Sequence, residues 1–125
     1  MPKAARAAAL WAPPLAIMVV IFALSAMPSD GEDRGALVFV LRKVAHFAEY
    51  ALLMALWWRA LRTKLAVRAA VIAAFAVTVL YAATDELHQH YVDGRVGTPV
   101  DVLIDAAGAA TVAALLLRRA GSVRA

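Results

Sequence analysis

The chain has 125 residues, 64% of them hydrophobic and only 18% charged, and its mean hydropathy is +0.74. A soluble domain of this length needs more polar surface, so composition excludes an ordinary water-soluble fold and makes a bilayer the natural solvent. Cysteine is absent, which removes disulfides and thiolate metal sites. The net charge is +4, yet no basic stripe with interleaved aromatics is present, so nucleic acid is not an expected partner.

Four apolar segments are predicted as helices, at about 8–27, 37–61, 65–85 and 99–117. In the first, Ala7 to Ser29 carries no charge, and roughly 20 such residues cross a hydrocarbon core of about 30 Å. Lys3 and Arg6 precede it, and Ala23-Leu24-Ser25 has the form of a signal cleavage site. The apolar run is longer than the roughly 7 to 15 residues of a signal peptide's core, so a retained span is expected. Pro13 and Pro14 are placed in its first turns, where a missing N–H costs little.

The second segment holds Arg42, Lys43, His46 and Glu49; helical spacing puts Lys43, His46, Glu49 and Tyr50 on one side, continued by Leu53. A cytoplasmic turn, Arg62 to Lys64, leads to the third, where Tyr81, Asp85 and His88 line up and Gln89 lies one turn beyond Asp85. Pro28 to Ala36 and Leu87 to Thr98 read as outer loops, with Asp93-Gly94 a turn. The fourth segment opens on Thr98-Pro99-Val100-Asp101, the form of a capping box with proline at the first helical position. Asp101, Asp105 and Gly108 then share a face, and the alanines around Gly108 allow close packing.

Charge is segregated. Lys3, Arg6, Arg59, Arg62, Lys64, Arg68, Arg118, Arg119 and Arg124 fall at one set of ends, while all nine acidic residues and all three histidines fall at the other. The positive-inside rule then makes both termini cytoplasmic and turns the polar face outward. Trp11, Trp57 and Trp58 lie near the cytoplasmic ends, as belt residues do. The expected fold class is all-α: one polytopic domain over 1–125 with four transmembrane helices and no internal repeat.

At about 1.5 Å per residue, Glu49 lies about 15 Å along its helix, near mid-membrane, while Asp85 reaches the surface, giving a polar funnel that opens outward. An ionisable group inside a span costs roughly 2.5 to 3.5 kcal/mol, so it persists when paired or useful. Pairing of Lys43 or Arg42 with Glu49 or Asp105 would be purely structural, but the cluster exceeds what one or two such pairs require. The catalytic candidates are His46, Glu49, Asp85, Glu86 and His88, a histidine serving as general acid or base and a carboxylate such as Glu49 or Asp85 orienting it. Lys43 and Arg95 would hold an anionic lipid head group; Tyr50, Gln89, Asp101 and Asp105 complete the ligand-binding candidates. His46, Glu49, Asp85 and His88 also offer nitrogen and oxygen donors to a divalent metal, although their spacing matches no established signature. A proton- or ion-coupled carrier would use Glu49 and Asp105 as a relay; four helices leave little room for alternating access, which a homodimer would supply.

"RKVAHFAEYALL" (Arg42 to Leu53), "DELHQHYVDGR" (Asp85 to Arg95) and "DVLIDAAGA" (Asp101 to Ala109), with "LSAMP" (Leu24 to Pro28) before them, closely resemble the VanZ-like family of small bacterial membrane proteins. The resemblance covers nearly the whole chain, and the ordered set K-x-x-H-F, D-E-x-H-Q, G-R and D-x-x-x-D is specific. Asp93 stands where the family commonly has proline, and Val112 replaces a small residue; neither change removes a polar member of the cluster. The resemblance implies an envelope role, since the family's namesake contributes to resistance against the glycopeptide teicoplanin. The implied partner is the bilayer together with a lipid-linked cell-wall precursor.

Overall fold

The computed structural model describes residues 1–27, 35–92 and 99–124, and every regular element within them is an α-helix. Helix α1 spans Lys3–Ser25, α2 Ala36–Leu61, α3 Val67–His90 and α4 Pro99–Arg124. Each is rich in alanine and leucine, the residues that lose least on entering a helix. The connection from α2 to α3 is five residues long, 62–66, and reverses the chain as short loops between antiparallel helices do. Gly35 precedes α2 at φ 91°, a backbone setting that a side chain would strain.

The helices run up, down, up, down. Contacts ascend together in α2 and α4, from Lys43 and Asp101 to His46 and Asp105, so these two are parallel neighbours. Tyr50 meets Asp85 while Met54 meets Val71 and Ala74, so α3 is antiparallel to α2. Helices α2 and α4 approach closely at Gly108, where a Cβ would stand 2.3 Å from the backbone oxygen of Phe47. The small face expected on α4 thus has a definite partner, the backbone of α2 at Phe47 and Ala51.

The outer surface is apolar: Val19, Ile72, Leu80 and Leu103 are each more than 60% exposed. The buried groups include Asp85, Gln89, Asp101 and Asp105. Apolar outside and polar inside is the arrangement of a bundle made for lipid. Helices α1, α3 and α4, the last to Ser122, are long and apolar enough to cross a membrane. Helix α2 has 26 residues, but Arg42, Lys43, Glu49 and Arg59 make it less apolar.

Three expectations from sequence are corrected. Helix α1 begins at Lys3, so Pro13 and Pro14 lie in its interior rather than its first turns. The missing N–H of Pro13 frees the carbonyl of Ala9, four residues earlier, and the guanidinium of Arg59 donates to that oxygen. Helix α3 continues through His90, because no glycine or proline intervenes before Gly94; Leu87 to His90 are helical, not loop. Trp57 and Trp58 do more than mark an interface. Both pack against buried clusters between helices, and Trp11 meets Trp57 edge-on at 6.3 Å.

Candidate functional site

The polar residues that sequence assigns to separate helix faces do converge, at the end of the bundle formed by the close of α1 and α3 and the start of α2 and α4. Between α2 and α4 they form a ladder. The Lys43 ammonium is paired with Asp101. One turn further in, His46 Nδ1 lies 3.2 Å from Asp105 Oδ1, the imidazole donating when that nitrogen carries the proton. Three residues on α2 are matched by four on α4, the two spacings that keep side chains on one face of a helix. Asp105 is 1% exposed and Asp101 8%, so both carboxylates depend on these partners.

Asp85 organises a second cluster. The Tyr50 hydroxyl donates to Asp85 Oδ2 at 3.2 Å, and Gln89 Nε2 donates to the same oxygen at 3.1 Å. Gln89 Nε2 also reaches Ser25 Oγ at 3.3 Å, which ties α1 into the network. The Tyr81 hydroxyl bonds the Met18 carbonyl, a second link from α3 to α1. Asp85 is only 2% exposed and sits level with Tyr50, one residue from Glu49. It is therefore a deep group, not the surface group expected, because α3 runs more than a turn past it.

The carboxylate that faces His46 is Asp105, not Glu49 or Asp85, since the parallel register of α2 and α4 brings it there. Glu49 lies within electrostatic reach of His46, Asp105 and Asp85, and Glu86 within reach of Asp101, Asp105, Asp85 and His46. His88 is not brought to His46. It stacks on Phe22 of α1 with ring centroids 4.4 Å apart, and its Nδ1 is buried without a partner. Among the described residues, no three histidine, aspartate or glutamate side chains are grouped to hold a metal ion. Arg95 and the Asp93-Gly94 turn lie outside the described residues, as do Asp30, Glu32, Asp33 and Thr98 of the proposed capping box.

Two buried acceptors are left over, Asp85 Oδ1 and Glu86 Oε1. Glu86 also lines an open groove of about 650 Å³ between α3 and α4, beside His90, Pro99 and Val102. Among the described residues, these two carboxylate oxygens have no donor. Sequence reasoning overlooked Ser25; its signal is that it is the only polar side chain in α1 after Arg6.

This is a bundle of largely apolar helices enclosing an acid-rich polar cluster, the class of small helical membrane proteins. The family model described as VanZ/LLP1 matches residues 9–120, and the chain belongs to the VanZ-like family. No curated protein and no solved structure matches it.

Proposed function

We propose that this VanZ-like chain is a multi-pass protein of the bacterial cytoplasmic membrane whose polar cluster faces outward and binds or modifies a lipid-linked envelope molecule. Helix α2 serves as the fourth crossing, because Lys43 and His46 turn to carboxylates of α4 rather than to lipid. The basic residues at the opposite ends orient both termini toward the cytoplasm. The observation that carries the reading is the surplus of buried acceptors, Asp85 Oδ1 and Glu86 Oε1. A pair that only locks helices together leaves no such surplus, whereas the hydroxyl, amide and amino groups of a sugar–peptide head group would satisfy it. Lys43 is already neutralised by Asp101, so phosphate recognition falls chiefly to Arg95. In a reaction, His46 would exchange the proton and Asp105 would orient it. A role in teicoplanin-type resistance is part of the proposal, and the family membership is what supports it.

A second reading, that the cluster only locks the bundle, is favoured by Lys43–Asp101, His46–Asp105 and Tyr50–Asp85, each of which joins two helices. Teicoplanin susceptibility separates the two in a host expressing wild type, His46→Ala, Asp85→Asn or Glu86→Gln at matched membrane abundance. The binding reading expects wild type to raise tolerance and Glu86→Gln to lose it with unchanged thermal stability. Losses that only track abundance favour the lock, and a wild type without effect removes the resistance role. Because the chain lacks cysteine, Tyr91→Cys gives a single label site, and failure of an impermeant maleimide to reach it from outside would overturn the orientation.

A further inference from the structure

At the basic end of the bundle, away from the carboxylate cluster, α3 begins and α4 closes beside Trp58, enclosing a cavity of about 490 Å³. Its walls are largely apolar, from Trp58, Val67, Leu116 and Leu117, and two cations, Arg68 and Arg119, stand in the same lining. A third, Arg62, lies over the Trp58 ring at 4.6 Å from its centroid. Among the described residues no carboxylate lies at this end to neutralise these guanidinium groups. Helix α3 starts at this cavity without a side-chain cap on its first N–H groups, which adds the positive end of a helix dipole. An uncapped helix start and two arginines without a carboxylate among the described residues ask for an anion, while the apolar walls ask for hydrocarbon.

We propose that this cavity binds an anionic phospholipid, the phosphate held between Arg68 and Arg119 and an acyl chain laid against Trp58, Val67 and Leu116. Guanidinium groups suit phosphate because their planar donors engage two oxygens at once. A soluble anion would meet the same arginines but gain nothing from the walls, and a zwitterionic lipid would gain the walls but bring no net charge. The site stands apart from the polar cluster and does not depend on what that cluster binds.

The test is native mass spectrometry of the purified full-length chain in detergent, titrated with phosphatidylglycerol, with phosphatidylcholine of the same acyl chains, and with glycerol 3-phosphate as competitor. Retention of phosphatidylglycerol over phosphatidylcholine is expected, and Arg68→Gln and Arg119→Gln should each weaken it roughly fivefold. Arg42→Gln, at the other end of α2, should leave it unchanged. Leu116→Trp, which fills the cavity while keeping both arginines, should lower retention as well. Equal retention of the two lipids, or a double Arg68→Gln, Arg119→Gln variant that binds as wild type does, overturns the proposal. Displacement by equimolar glycerol 3-phosphate overturns it too, since the site would then be one for a soluble anion. Should the double variant fail to fold, the comparison of the two lipids on the wild-type chain decides by itself.

Discussion

His46 Nδ1 stands 3.2 Å from Asp105 Oδ1 and joins the parallel helices α2 and α4 one turn inward of the Lys43–Asp101 pair. Asp105 is 1% exposed, so it has no water to fall back on. His46→Ala is expected to destabilise the bundle by about 3 to 5 kcal/mol, the cost of leaving a buried group without its partner. The double variant His46→Gln, Asp105→Asn keeps a neutral hydrogen bond and should recover most of that loss. Reversible unfolding in mixed micelles measures both, and losses that simply add would show the two residues to be uncoupled.

Gly108 sets the spacing of the same two helices. A Cβ there would stand 2.3 Å from the Phe47 carbonyl oxygen, whereas one at Gly121 meets nothing within 4 Å. Gly108→Ala should cost roughly 1 to 3 kcal/mol, because α4 must move off a backbone that cannot yield. Gly121→Ala should be neutral or slightly stabilising through its better helix propensity. Paired thermal melts distinguish them, and equal melting temperatures for the two variants would refute the close-packing argument.

Tyr50 contributes through both its ring and its hydroxyl. Its side chain is fully buried beside Ile21, Leu53 and Ala82, and its O–H is one of two donors to Asp85 Oδ2. Tyr50→Phe removes only the donor, and Gln89 remains, so a loss near 0.6 and at most about 1.7 kcal/mol is expected for an interhelical bond in a membrane. Tyr50→Ala also removes the packed ring and should cost about 3 to 5 kcal/mol. Similar unfolding free energies for the two variants would mean that the ring packs less than its burial indicates.

Arg59 and Pro13 are coupled through an atom that belongs to neither. Pro13 cannot donate to the Ala9 carbonyl, and Arg59 donates in its place. Arg59→Gln is expected to cost about 0.5 to 1.5 kcal/mol in the wild-type chain. In a Pro13→Ala background, where the helix supplies its own N–H, the same change should cost less by at least about 0.5 kcal/mol. A double-mutant cycle by chemical denaturation reads this directly, and a coupling of zero would remove the link.

Much of the bundle is legible along the chain. Apolar runs marked α2 almost to the residue, Pro99 marked the start of α4, and the spacing of Asp101, Asp105 and Gly108 marked the face that meets α2. These are local properties: helical periodicity and the high cost of polar groups in hydrocarbon act on each segment by itself. Ends without a sharp stop were less legible. Helix α1 starts earlier because the alanines before Trp11 extend it, and α3 ends later because helix-competent residues follow Asp85.

Which residue meets which lay beyond the sequence. Helical spacing and depth offered Lys43 the carboxylates of Glu49 or Asp105, and offered His46 those of Glu49 or Asp85. The parallel register of α2 and α4, set by the contact at Gly108, selected Asp101 and Asp105. The same packing carried Asp85 down to Tyr50, turned His88 to Phe22 and brought in Ser25 through Gln89. Sequence by itself determined that polar groups must be gathered inside an apolar bundle, because lipid offers them no partners. Only the tertiary structure decided the pairs, because a hydrogen bond depends on ångström-scale register between helices that periodicity along one helix does not contain.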